Sequence, residues 1–263
     1  MIPRVSVLVG SWNNSATLPR AIDSLLAQTL ADLEVIVVDD GSTDATADCA
    51  AVYRDPRVSC LRLPHQGIAR SLNAGLQAAR AEFVAVNDAD DWSLPERLER
   101  QVAALERDAS LAVVGCLMRE VDEDGRELRR RLPVACGDVR RALRRFNPIP
   151  NTAAAFRRSA VLEAGGYDPR WSWAMDYDLW LRLAERHALT NLPDELAVRE
   201  LGTRNVNATR EREQIAEAIA IRLAALRRRR TLRGATGLTR PVLSFALPLG
   251  AKRALRRARG QAP

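Results

Sequence analysis

Apolar and polar positions fall into alternating blocks along the first 120 residues. Val5–Val9, Glu34–Val38, Val58–Leu61, Phe83–Val86 and Leu111–Leu117 are short, valine-rich runs that predict buried strands. Between them the apolar spacing turns helical. Leu18, Ile22, Leu25 and Leu26 share a face within Thr17–Leu30, and a further helix is expected from about Ala45. Ala69–Ala79 reads as a helix, and Leu98, Val102 and Leu105 line one side of Leu94–Leu105. This strand–helix alternation predicts an α/β fold with a mostly parallel central sheet covered by helices on both faces.

The pattern then changes. Asp122-Glu123-Asp124-Gly125 predicts a turn between the polar arms of Arg119–Leu132. Asn147-Pro148-Ile149-Pro150 is a breaker, followed by an expected strand over Asn151–Phe156 and a helix over Ser159–Ala164. Gly165-Gly166-Tyr167-Asp168 reads as a turn. Asp176–Arg186 predicts a helix with Leu179, Trp180, Leu183 and Ala184 on its apolar face. A long helix is expected from about Arg210 to Leu226, ending where Arg227-Arg228-Arg229-Arg230 interrupts it.

Size and composition narrow the picture. A chain of 263 residues with 47% apolar content can bury a substantial core as one domain, with or without an appendage. The four cysteines lack CxxC spacing and there are two histidines, so a zinc site is not expected. Cys49, Cys60 and Cys116 lie in or beside apolar stretches and read as buried thiols, in keeping with a reducing cytoplasm. Met1-Ile2-Pro3-Arg4 runs straight into a strand pattern, and no apolar stretch is long enough to span a bilayer. Residues 201–263 hold 15 basic and 3 acidic side chains, a net of +12, which leaves −5 for residues 1–200 of a chain totalling +7. The basic balance thus belongs to the tail. Leu232–Arg259 mixes apolar residues with a basic flank, which suits either a peripheral contact with an anionic membrane surface or a solvated end. Nucleic acid is not an expected partner, because the body is acidic and lacks basic residues interleaved with aromatics.

Two acidic clusters carry the candidate chemistry. Asn87-Asp88-Ala89-Asp90-Asp91 follows the strand at Phe83, and Asp39-Asp40-Gly41-Ser42-Thr43-Asp44 follows the strand at Glu34. Like charges this close repel, and a divalent cation with hard oxygen ligands relieves the repulsion. An acidic turn that caps the next helix explains either cluster alone. Both, however, sit at the carboxyl ends of strands, the edge where open α/β sheets bind ligands. That placement points to a phosphorylated, metal-bound ligand.

Val5–Asn13, Val35–Asp44, Gly67–Gly75, Phe83–Arg97 and Gly165–Arg182 resemble, in order and spacing, the family 2 glycosyltransferases over roughly residues 3–200. The resemblance implies the GT-A (nucleotide-diphospho-sugar transferase) fold, with residues 1–205 as the catalytic domain and 206–263 as a helical basic extension. Within the domain, residues 1–118 would form the nucleotide-binding half and 119–205 the acceptor half. It further implies an inverting transfer from a nucleotide-sugar donor, UDP-linked in most of the family, to a glycan or lipid-linked acceptor, assisted by Mn2+ or Mg2+.

Residue by residue, Gly10-Ser11-Trp12-Asn13 stands where the family has Pro-Thr-Tyr-Asn, which places Ser11, Trp12 and Asn13 near the nucleotide. Asp39 matches the aspartate that reads the base, and Asp40 its structural neighbour. Asp88-Ala89-Asp90 matches the DxD motif, with Asp88 on the ribose and Asp90 on the metal. Asp91 would support the metal or the helix start. Arg70 and Asn73 fall in a stretch like the family's LNAG segment, with Arg70 toward phosphate. Met175-Asp176-Tyr177-Asp178-Leu179-Trp180 resembles EDYDLW, which makes Asp176 the general base. Trp171, Trp173 and Met175 would face the acceptor. Two departures stand out. Met175 replaces a glutamate, and Val198-Arg199-Glu200-Leu201 keeps an arginine but lacks the family's histidine. QxxRW, the mark of processive members, is absent, so one sugar per encounter is expected. A nucleotide-sugar-binding protein without transfer is the alternative of a different class.

Overall fold

The computed structural model describes residues 2–122, 124–128, 135–201 and 211–228. Nine strands form one sheet: β1 (Val5–Ser11), β2 (Leu33–Asp39), β3 (Val58–Arg62), β4 (Phe83–Asp88), β5 (Asp91–Ser93), β6 (Leu111–Val121), β7 (Gly137–Asp138), β8 (Ala155–Arg157) and β9 (Ala188–Glu200). Their order is β3-β2-β1-β4-β8-β6-β9-β5, with β7 beside β9. The helices are α1 (Leu18–Leu26), α2 (Thr46–Ala51), α3 (Ile68–Ala78), α4 (Arg97–Arg107), α5 (Arg158–Glu163), α6 (Met175–Leu183) and α7 (Glu211–Arg228).

The alternating side chains of β1 explain why the sheet is covered twice. Val5, Val7 and Val9 pack on one face with Leu18, Ile22 and Leu25 of α1 and Leu98, Val102 and Leu105 of α4. Leu8 packs on the other face with Leu72 and Leu76 of α3, Phe156, and Leu179 and Trp180 of α6. Ile221 and Ala225 of α7 join this second layer. Strands buried from both sides read as near-continuous apolar runs, which is how β1, β2 and β4 read.

β1, β2, β3 and β4 pair in parallel, as does β6 with β9. β8 runs antiparallel between β4 and β6, and β5 and β7 run antiparallel to β9. The second half of the sheet is therefore mixed. Its register nevertheless keeps the first edge aligned, with Ser11 beside Asp39 and Gly10 beside Asp88.

Several details differ from the pattern-based expectations. Residues 151–153 form a 3-10 turn, and the strand is the shorter Ala155–Arg157. α1 stops at Leu26, and α4 starts at Arg97 because Asp91–Ser93 is drawn into the sheet. Cys60 is exposed, since β3 is an edge strand, while Cys116 is buried. All four thiols are free. No helix among the described residues is long and apolar enough to cross a membrane. The expected tail contact at Leu232–Arg259 lies outside the described residues.

Candidate active site

β1, β2 and β4 end side by side, and the turns that leave them build one rim of the site. The turn after β2 depends on Gly41, whose φ of +71° and 2.5 Å clearance to His65 N would clash with any Cβ. That turn aims the two neighbouring aspartates differently. Asp40 accepts hydrogen bonds from Gln66 N (2.9 Å), Gly67 N (3.0 Å) and Ser71 Oγ (2.6 Å), so it anchors the start of α3. Asp39 is fully buried. Its Oδ1 accepts from Ser42 N at 3.1 Å, while Oδ2 has no hydrogen-bond partner among the described residues. Arg62 Nε lies 3.7 Å from Oδ2. A buried carboxylate oxygen without a donor is costly, and a ligand N–H satisfies it.

Trp12 is 52% exposed and stacks on His65 with ring centroids 4.8 Å apart. Ser11 is buried. Asn13 takes a left-handed φ of 56°. Its Oδ1 accepts from Thr43 N at 2.8 Å and its backbone N–H donates to Ser42 Oγ at 2.9 Å, so this residue stitches the two turns together. Arg70 lies exposed on α3 and donates to Gln66 O at 3.3 Å. Asn73 clamps Tyr167 by two hydrogen bonds of 2.7 and 2.8 Å, so it serves the fold.

The second cluster is more crowded. One carboxylate oxygen each from Asp88, Asp90 and Asp91 converges within 4.8 Å of the others. The loop is locked from below. Asn87 Nδ2 donates to Asp88 O (2.8 Å) and Asp91 O (2.9 Å), and its Oδ1 accepts from Arg97 Nη1 at 3.0 Å. Arg97 is fully buried and also donates to Ser93 Oγ and Val86 O. Asp88 N donates to Thr152 Oγ1 at 2.9 Å. Burial, then the Asp90 charge, pushes the Asp88 carboxyl up to about 7, against the pull of Arg199. Burial also raises Asp90, and lifts Asp91 well above the ordinary carboxylate range, with Arg199 the chief opposing charge. Three acids that resist ionisation together form an oxygen donor set suited to a hard divalent cation.

Asp176 sits in the first turn of α6, half-buried. Tyr177 N donates to its Oδ1 and Asn147 Nδ2 to its Oδ2, both at 2.7 Å. Burial pushes its carboxyl up to about 6, against these hydrogen bonds and the charge of Arg199. Its charge also reaches Asp88, which brings Asp176 and the acidic cluster into one electrostatic site. Asp178, two residues on, points away and pairs with Arg182 at 2.7 Å.

Trp173, three residues before Asp176, is 37% exposed, whereas Trp171 is half-buried with its Nε1 lacking a hydrogen-bond partner among the described residues. Met175 is buried in the core. Arg199, the arginine left where the histidine is missing, comes from β9. Asp91, Asp88, Glu120 and Asp90 outweigh the cost of its burial and raise its pKa. Thr152, Asn147 and Arg97 were not singled out from sequence. Each is an ordinary polar residue there, and its role depends on partners distant in the chain.

The model of the family described as Glycosyl transferase family 2 matches residues 6–165. The chain is 33% identical over 211 residues to the amylovoran biosynthesis glycosyltransferase AmsE of Erwinia amylovora, covering 78% of this chain and 79% of that protein. It is 40% identical over 129 residues to the succinoglycan biosynthesis protein ExoO of Rhizobium meliloti (strain 1021), covering 49% of this chain and 37% of that one. Among solved structures, S. aureus TarS in complex with UDP-GlcNAc superposes with a TM-score of 0.69 at 20% identity, over 85% of this chain and 66% of the other. The mannosyltransferase PcManGT of Pyrobaculum calidifontis, in complex with GDP-Man and Mn2+, superposes with a TM-score of 0.65 at 22% identity, over 99% of this chain and 80% of the other.

Proposed function

Since the chain belongs to glycosyl transferase family 2 and is a glycosyltransferase, we propose that it transfers one sugar from a nucleotide-diphosphate sugar to a hydroxyl of a glycan or lipid-linked acceptor, with inversion. The observation that carries this reading is Asp176. It is a half-buried carboxylate held by one donor on each oxygen, and its field reaches the Asp88–Asp90–Asp91 cluster.

In this reading the nucleotide lies along the β1–β2–β4 edge. Asp39 Oδ2 accepts an N–H from the base, for which the imide of uracil is suited. Trp12 offers an aromatic face to the base or ribose, with Ser11 and Asn13 shaping the wall. Asp88 takes the ribose, and Arg70 is placed toward phosphate. The donor set at Asp90, with Asp88 and Asp91 beside it, fits Mn2+ or Mg2+. When bound, such a cation supplies Lewis-acid neutralisation of the leaving diphosphate. The complexes of the structural neighbours with UDP-GlcNAc and with GDP-Man and Mn2+ support this donor and metal class.

Asp176 takes the proton of the attacking hydroxyl. The acceptor oxygen bonds to the anomeric carbon as the bond from that carbon to the phosphate oxygen breaks, and the nucleoside diphosphate leaves. Trp171 and Trp173 border the acceptor side, and Met175 backs them from the core. The relatives named for amylovoran and succinoglycan biosynthesis support a glycan acceptor. The basic tail adds an anionic membrane surface as the site of encounter with a lipid-linked acceptor. Flotation with anionic vesicles at low salt tests that part.

The decisive experiment is Asp176→Asn. Turnover should fall on the order of 10²–10⁴-fold, the usual share of a general base, while nucleotide affinity by calorimetry stays unchanged. A wild type that binds donors yet never transfers or hydrolyses them would reduce the protein to a nucleotide-sugar binder.

A further inference from the structure

α6 carries the base but begins without a side-chain cap of its own, since Ala174 occupies the N-cap. A helix start leaves N–H groups unsatisfied and a partial positive charge. Here a carboxylate from another helix holds the N-cap residue and the two residues that lead into it. Glu217 of α7 accepts Ser172 N at 3.0 Å through Oε1, and Trp173 N at 2.8 Å and Ala174 N at 3.0 Å through Oε2. Three successive N–H groups closing on one anion form a nest.

α7 attaches again just past the base. Arg222 Nε lies 2.7 Å from Tyr177 Oη and donates to it, and Arg222 Nη2 donates to Arg145 O. Tyr177 Oη donates in turn to Leu143 O. Asp176 therefore lies between two anchors from a single helix, and that helix is beyond the 6–165 match to the family.

We propose that Glu217 is a positioning residue. Its carboxylate fixes the 171–174 segment, and through it sets Asp176 and Trp173 against the incoming hydroxyl. The inference rests on the assignment of Asp176 as base. Ser172 and Trp173 are exposed, so water can replace Glu217 at those amides with little loss of stability. Geometry matters more, because a misplacement of about 1 Å at a reacting centre costs as much as ~100-fold in rate.

The test is Glu217→Gln in the full chain, with Mn2+ and a panel of UDP-sugars, following release of the nucleoside diphosphate on transfer to water. The expected result is a kcat lowered about tenfold or more, an unchanged donor KM, and tryptophan fluorescence more open to acrylamide quenching. Arg228→Gln is the control. It loosens α7 from Asp178 (3.7 Å) and Glu185 (3.5 Å) without touching the nest, and should keep wild-type kcat. A Glu217→Gln enzyme with wild-type kcat overturns the inference, as does an Arg228→Gln enzyme that loses as much. If the wild type releases nothing from any donor, the assignment of Asp176 fails and the inference falls with it. If the wild type turns over and Glu217→Gln matches it, the inference alone falls.

Discussion

Asp91 and Arg199 stand opposite each other across the β5–β9 pairing, with Arg199 Nε 3.7 Å from Asp91 Oδ2 and both side chains largely buried. Arg199 also opposes the charges of Asp88, Asp90 and Asp176. It is the shared counter-charge of the acidic site.

Removing one member of a buried pair leaves the other uncompensated. Arg199→Met should therefore lower the unfolding free energy by about 3 kcal/mol in urea titration. Asp91→Asn on that background should recover part of the loss. Simple additivity of the two substitutions would mean that the pair is not coupled.

As the proposed general base, Asp176 would have to be unprotonated to accept the hydroxyl proton, and its carboxyl is pushed up to about 6. Below that pH the base carries its own proton and cannot act. The profile of kcat/KM should thus rise between about pH 5 and 7, because this quantity reports groups of the free enzyme. A profile flat across that window would remove Asp176 from the role.

The clustered acids Asp88, Asp90 and Asp91, proposed above as the cation site, predict an unusual stability profile. Their folded pKa values are raised, with Asp88 up to about 7, so the folded state holds protons that the unfolded chain releases. Their contribution is fully present below about pH 4 and is lost as pH rises through the folded values. Without metal, the melting temperature should fall from about pH 5 to 8. Mn2+ should restore it more at pH 8 than at pH 5, since ligands must be unprotonated. Equal Mn2+ shifts at both pH values would contradict the assignment of this cluster as the cation site.

Asp39→Asn keeps an acceptor for Ser42 N but removes the charged oxygen that lacks a hydrogen-bond partner among the described residues. Hydrogen bonds to charged groups contribute about 1.5–3 kcal/mol, so UDP affinity should drop on the order of 10–100-fold with little change in melting temperature. Calorimetry with UDP and GDP would read both the loss and the base preference.

The strands β1, β2 and β4 were legible because each is a local apolar run, and β2 and β4 end in acidic turns. The same holds for α6, whose apolar face repeats at helical spacing. β9 was not legible. Ala188–Glu200 contains Pro193 and charged positions, and its extended form comes from pairing with β6 and β5 rather than from its own pattern. β5 is three residues long and, among the described residues, pairs only with β9. Arg199 could be noticed as a departure from a motif, but not placed. Thr152, Asn147 and Glu217 act across 64, 29 and 43–45 positions of chain, a separation that no local window spans.

The insertion of β9 between β6 and β5 also governs the order of assembly. During synthesis the crowded acids at 88–91 emerge long before the guanidinium that offsets them, and β5 has nothing to pair with until then. Closure of this edge waits for a late, long-range contact of the kind that slows folding.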